Sequence, residues 1–299
     1  MGRTERQSEV RGARDLAALW RALPAAALAY PASAWSPEVG LATLSDTLRA
    51  RSWREHCASV TLASCADWGQ DCAHPGCCRA DALFPMRIGG GAPSWRMATL
   101  FVQWHPVLAQ LRLIALGAAA CDALGWAARC LRERHRLDGA VPLAVATLAD
   151  LELTEARCWE LTFVTPWLVG KGRPEACIPP ASETVAHELC KAMRTRAHKL
   201  TALCLRDERA QRLAAHLAHH VAEALLPDGL VVEHMEVESV PLAMASRGNG
   251  SSFAALTWSG RVVLRVVPAV LPWLNLIAIC GGGENADKGF GGINLTPLD

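Results

Sequence analysis

Residues able to do chemistry gather in four places along this chain. The first is the glycine-rich segment 281–292, Gly-Gly-Gly-Glu-Asn-Ala-Asp-Lys-Gly-Phe-Gly-Gly. Gly281, Gly282, Gly283, Gly289, Gly291 and Gly292 free the backbone for positive φ and place no Cβ between it and a ligand. Backbone N–H groups in such a loop can converge on an anion, and Lys288 adds a point charge. A plain hairpin loop is the other reading of the same residues. A P-loop does not fit, because the lysine precedes the second glycine group and no helix follows. A dinucleotide fingerprint does not fit either, since only ten residues remain after Gly289. A glycine-rich loop between strands remains, suited to lie along a polymer backbone.

The second place is arginine-rich. Of 30 cationic side chains four are lysine, so 26 are arginine, a bias that suits bidentate phosphate contact. Arg129, Arg132, Arg134 and Arg136, with His135 among them, crowd one helix end. Such a run reads either as a solvated face or as a grip on a phosphate backbone. Arg49 and Arg51 stand on the last turn of an earlier helix, with Arg54 and His56 just beyond. Arg194 and Lys199 lie with Lys191 and His198 on a third helix.

The third place is a cysteine block: Cys57, Cys65, Cys72, Cys77 and Cys78, with His74 inside it. Structural zinc would need four soft ligands in tetrahedral array, and Cys72, His74, Cys77 and Cys65 or Cys78 could supply them. The spacing is not that of paired CxxC motifs, so reduced thiols in a loop are the favoured reading. The fourth place is a helix carrying His216, His219 and His220, with Glu223 one turn on. One helix alone rarely completes a metal site, so these read as exposed histidines.

The bulk numbers limit what these groups can serve. At 299 residues and 51% hydrophobic the chain buries a sizeable core, and two domains are expected. A net charge of +1 gives no whole-molecule field, so anion binding must come from local clusters. The N-terminal segment lacks the apolar core of a signal peptide. No apolar run approaches the roughly eighteen residues of a membrane span. A cytoplasmic protein with mostly reduced cysteines is expected.

Elements must hold these residues in place. Residues 1–14 read as a basic arm carrying Arg3, Arg6, Arg11 and Arg14, and 15–23 as a short helix closed by Pro24. Segment 25–30 reads as a strand. Ser36-Pro37-Glu38 starts a helix that runs to about Arg51, followed by a loop over 52–57. Segments 99–104 and 111–116 read as strands, 121–136 as a helix and 141–153 as a strand. In the second half, 158–167 is a strand ending at Pro166. Helices follow, one from Ser182 past Ala202 and one over 209–226. Strands are expected at 231–240, 254–258, 261–267 and 274–280, and a short closing strand follows the glycine loop. Each half then orders its elements as βαββαβ, so the expected fold is α+β: two ferredoxin-like (RRM-like) domains in tandem with helical and loop insertions. The expected domains are 1–153, with the cysteine-containing loop, and 154–299, with the glycine-rich loop.

In this order the chain resembles the CRISPR repeat-RNA-processing endoribonucleases of the RAMP superfamily. The landmarks are Pro37 and Gly40 at a helix start, Leu83-Phe84-Pro85 closing the cysteine loop, and 113–117 (Leu-Ile-Ala-Leu-Gly) before a helix. Then come 161–166 (Leu-Thr-Phe-Val-Thr-Pro), Ser246-Arg247 before Gly260, and the terminal loop with Gly289-Phe290-Gly291. The resemblance runs from about Pro24 onward.

It implies two ferredoxin-like domains that hold a prokaryotic CRISPR repeat stem-loop, cut it once and keep the product. Attack by the substrate's own 2′-OH leaves a 2′,3′-cyclic phosphate and requires no metal or other cofactor. The glycine-rich loop (Gly281, Gly282, Gly283, Lys288, Gly289 and Gly291) would contact RNA. Arg129, Arg132, Arg134, Arg136, Arg194, Lys199 and Arg247 would take phosphates. A histidine just after the first domain's first helix is common in the family, and His56 holds that place. His56 is therefore the expected general base or acid, and Arg49, Arg51 and Arg54 the stabilisers of the phosphorane. Tyr30, the only tyrosine, is the one residue on which a tyrosine-assisted mechanism could rest. The first domain's own glycine-rich loop is reduced to 137–139, and the arginine bias suggests a divergent, type IV-like system. The alternative is a non-catalytic RAMP-type subunit that binds guide RNA. Other CRISPR effector subunits are expected partners, whereas DNA is not contacted directly and no membrane is involved.

Overall fold

The computed structural model describes residues 3–35, 40–56, 83–84, 97–105, 108–152, 156–171, 178–205, 207–245, 252–283 and 291–298. Helix α1 spans Arg3–Arg21. Residues 3–12 of the expected basic arm are thus its first half. That stretch holds few apolar residues, and the helix is anchored further on by Ala13, Leu16, Ala17 and Trp20, buried at i, i+3, i+4 and i+7.

Two compact units form. One comprises 19–151 with 199–215, and the other 1–18, 152–198 and 216–299. In the first, β1 (Ala25–Pro31), α2 (Leu41–His56), β2 (Leu100–His105), β3 (Gln110–Leu116), α3 (Ala118–His135) and β4 (Val141–Pro142) give an antiparallel sheet ordered β2-β3-β1-β4. Period-2 alternation on β2 and β3 sends Leu100, Val102, Leu111, Leu113 and Ala115 to one face. Leu41, Leu44 and Leu48 of α2 and Ala120, Ala123, Leu124, Ala127 and Leu131 of α3 cover that face at helical spacing. Each fully buried leucine contributes roughly 1.5–3 kcal/mol.

Two expectations change here. Helix α2 does not stop near Arg51: it continues to His56, with Ser52 fully buried. The strand expected over 141–153 is only two residues long, because Pro142 has no N–H to extend the ladder. The chain turns instead through a 3₁₀ segment, Leu148–Leu151, where the Asp150 carboxylate accepts the N–H groups of Ala146 and Thr147 at 2.9 Å each. The expected helix start at Ser36-Pro37-Glu38 lies outside the described residues.

The second unit contains β5 (Cys158–Lys171), α4 (Ser182–Leu203), α5 (Glu208–Gly229), β6 (Leu230–Ala245), β7 (Ser252–Val266), α6 (Leu271–Cys280) and β8 (Ile293–Pro297). The residues of α4 and α5 are divided between the two units. Its sheet runs β6-β7-β5-β8, also antiparallel, so each unit places its second, third, first and fourth strands in the same order. This is the ferredoxin-like arrangement, written twice.

Three local expectations are corrected in this unit. Residues 274–280 are not a strand but most of α6, with a proline in its first turn. Leu271, Trp273, Leu274, Asn275, Leu276, Ile277, Ile279 and Cys280 are all buried, so the helix shows no polar face and no 3.6-residue period to read. β7 is one strand rather than two, and it passes through Gly260 at φ 116°. A Cβ there would lie 2.0 Å from the Glu236 carbonyl oxygen, which makes glycine necessary. β5 does not end at Pro166, since its register on β7 shifts between Phe163 and Trp167 and then resumes to Lys171. No helix among the described residues is long and apolar enough to cross a membrane.

Candidate nucleic-acid interface

Packing of α2 against α3 brings two of the arginine groups together in the first unit. Thr47 Oγ1 and His135 Nε2 lie 2.9 Å apart, and Arg51 donates to Glu133 at 2.7 Å. Arg49 is paired with Asp46 on its own helix. Both described members of the expected catalytic arginine set therefore already hold carboxylates. The exposed Arg51–Glu133 pair is worth about 0–1 kcal/mol and can be exchanged for a phosphate, whereas Arg49 is largely buried.

Arg129, Arg132, Arg134 and Arg136 are all exposed, and no carboxylate among the described residues pairs with them. Positions 129, 132 and 136 share one stripe of α3, and the last-turn cations sit favourably at the negative end of the helix dipole. Arg136 closes the helix in the left-handed conformation (φ 57°) and donates its N–H to the Arg132 carbonyl at 2.8 Å. His135 is held below its usual pKa by burial and then by Arg134. The result is a row of unneutralised guanidinium groups beside one exchangeable pair.

In the second unit the glycine segment leaves α6 and returns to β8 through a tightly bonded stem. Gly282 N–H donates to the Gly291 carbonyl at 2.8 Å, and Gly291 N–H to the Pro166 carbonyl at 3.0 Å. Gly292 N–H donates to Thr165 Oγ1 at 2.7 Å. A Cβ on Gly282 would lie 2.0 Å from Cη2 of Trp167, and one on Gly291 would lie 1.7 Å from the Gly282 oxygen. Gly282 and Gly291 are thus required by close packing, and the amides of Gly282, Gly291 and Gly292 are committed to the stem. Beneath it, Arg196 is 5% exposed and donates from Nε to the Gly281 carbonyl at 2.8 Å, at the C-terminal end of α6. Burial pushes the adjacent Cys280 thiol up to about 12, with Arg196 pulling the other way.

The remaining expected residues fall as follows. Tyr30 lies in the α2–α3 core at 1% exposure, and its hydroxyl has no partner among the described residues. Burial, with Asp138 as the lesser cause, raises its pKa to about 12. Arg194 pairs with Glu223 at 3.0 Å, and Lys199 is half-buried. His198 of α4 stands 5.9 Å from His216 and 6.3 Å from His219, ring centre to ring centre. His219 Nε2 is 3.3 Å from Glu223. No set of three metal ligands is found among the described residues. The side chains of Arg54 and His56 lie outside the described residues, as do Arg247, Lys288, Gly289, and the zinc candidates Cys65, Cys72, Cys77 and Cys78.

Sequence reading passed over His105 and Arg112, which share one face of the first sheet, and Arg196, which caps α6. The alternation of Gln103 and His105 on one strand with Gln110 and Arg112 on the next was the available signal.

No family model matches the chain, and no curated protein matches it. Among solved structures, Cas6 from Thermus thermophilus is similar at 17% identity and TM-score 0.41, over 92% of this chain and 98% of that one. A Cas6-related protein from Pyrococcus furiosus is similar at 9% identity and TM-score 0.36, over 93% and 100%. A RAMP protein described as binding different RNA substrates is similar at 10% identity and TM-score 0.39, over 91% and 99%.

Proposed function

We propose that this protein binds a CRISPR repeat stem-loop RNA and cuts it once without metal, by attack of the substrate's 2′-OH on the adjacent phosphate. The observation that carries the reading is the four-arginine end of α3, exposed and unneutralised among the described residues, on a ferredoxin-like unit that is repeated in the chain. A row of guanidinium groups takes successive phosphates by paired N–H donors and releases counterions on binding. Cutting needs a base for the 2′-OH, an acid for the leaving 5′-oxygen and cations for the phosphorane. His56, at the end of α2, is assigned the base or acid role, with Arg54 and an Arg51 freed from Glu133 as stabilisers. An arginine is too basic to replace the histidine as base.

The test is incubation with repeat stem-loop RNA in EDTA. One cut is expected, with a 2′,3′-cyclic end, and a 2′-deoxy nucleotide at the scissile position should block it. Loss of cutting in chelator would end the metal-free reading. A second reading, a non-catalytic subunit that holds guide RNA within an effector complex, is favoured by the carboxylate partners of Arg49 and Arg51 and by the burial of Tyr30. It predicts salt-steep binding with no product, unchanged by His56→Ala.

A further inference from the structure

The first sheet has a second face, turned away from α2 and α3. Alternation puts Phe101, Gln103 and His105 of β2 there, with Gln110, Arg112 and Ile114 of β3. The register sets Gln103 opposite Arg112 and His105 opposite Gln110, so the four polar residues form one contiguous square. Their neighbours on that face, Phe101, Ile114, Ala27 and Ala29, are all 5% exposed or less. A polar island on an otherwise buried apolar face calls for a partner.

Two of its groups lack one. Arg112 Nε and Gln110 Oε1 are buried with no hydrogen-bond partner among the described residues. Arg112 makes no ion pair with a described carboxylate. Burial shifts its pKa downward, and no described anion offsets that. His105 Nδ1 accepts the Leu108 N–H at 3.3 Å, so Nε2 is the nitrogen left to bind and donate a proton. Burial, and then Arg112, hold the imidazole below its usual pKa, and no carboxylate among the described residues contributes. Both groups gain if an anion arrives: the guanidinium finds its counter-charge, and the imidazole becomes easier to protonate.

We infer that His105 and Arg112 together bind a phosphodiester of the RNA on the face of the first sheet opposite α2 and α3. The guanidinium supplies a planar fork, His105 a single N–H, and Gln110 an amide, a donor set that fits the non-bridging oxygens of one phosphate. This site is separate from the α3 row, and it rests on the RNA-binding reading above.

The experiment is RNA binding by fluorescence anisotropy across salt and pH, on the full chain. Arg112→Gln is expected to weaken binding about tenfold at low salt and to lower the slope of log K against log salt by roughly 0.7. Arg112→Lys should keep the slope yet lose part of the affinity, because the charge survives and the fork does not. Wild-type affinity should rise as pH falls below the ordinary histidine range, where His105 protonates against the bound phosphate. His105→Gln, at a strand end where the substitution is tolerated, should remove that rise. Wild-type RNA binding with unchanged affinity, slope and pH profile in both Arg112→Gln and His105→Gln overturns this site and leaves the RNA reading standing. Failure of the wild-type chain to bind RNA at all overturns both.

Discussion

The stem of the glycine segment can be tested as a packing problem. Replacing Gly282 by alanine sets a methyl 2.0, 2.4 and 2.9 Å from Cη2, Cζ3 and Cζ2 of Trp167. Ordinary carbon contacts need about 3.5–4.0 Å, so either the ring or the stem must move. Trp167 is fully buried, which leaves it little room, and overpacking of this kind costs about 1–3 kcal/mol. Trp167→Phe removes the three clashing atoms. It also sheds an indole N–H with no partner among the described residues, so the single substitution should cost only about 1 kcal/mol. The double variant should therefore be no less stable than Trp167→Phe alone, a coupling of about 1–3 kcal/mol. Urea unfolding of the wild type, both singles and the double measures it, with the slope checked for constancy. If the two single effects simply add, within about 0.5 kcal/mol, Trp167 does not enforce glycine at 282 and the account of the stem is wrong.

Three further outcomes are expected. Arg129→Gln with Arg132→Gln should lower the salt slope of RNA binding by about 0.7 per residue while leaving the melting temperature within a degree or two; an unchanged slope removes α3 from the interface. Gly260→Ala forces a side chain onto the Glu236 carbonyl oxygen at φ 116°, so a loss of more than about 2 kcal/mol is expected in urea unfolding. Tyr30 titrates near 12 in the folded chain and near 10 when unfolded, so it keeps its proton longer in the fold. Its contribution is full below about pH 10 and is lost as pH rises toward 12, about 3 kcal/mol in all. As the only tyrosine, it can be followed by phenolate absorbance, and ionisation near pH 10 without unfolding would contradict its burial.

Much of the fold was legible because most helices keep one wet face. α3, α4 and α5 repeat at helical spacing, and β1, β2 and β3, buried on much of both faces, stand out as short apolar runs, so their limits fall within a few residues of the expected ones. Helix α6 was read as a strand because burial on every side erases the period that separates the two. β7 was read as two strands because Gly260 looks like punctuation, while its need lies in a neighbouring strand's carbonyl. Of the candidate site, the arginine end of α3 could be seen as a local run. The His105–Arg112 square shows in the sequence only as polar alternation on two separate strands, and its pairing needs the β2–β3 register. The same holds for Arg196, whose partner carbonyl is 85 residues away.

Among the described strands β6 is the outermost of its sheet for sixteen residues, with β7 on one side only. A rim of that length invites a second chain to add itself and continue the sheet into a fibre. Several features of β6 discourage that addition. Glu233, Glu236 and Glu238 stand exposed along it, a bulge interrupts it between Val232 and His234, and Pro241 lacks the N–H a newcomer would need. Arg261 and Arg265 of β7 hold Glu236 and Glu233 at 2.8 and 2.7 Å, which keeps those carboxylates in position. Replacing these three glutamates by alanine should therefore promote edge-to-edge association of the chain without loosening its core.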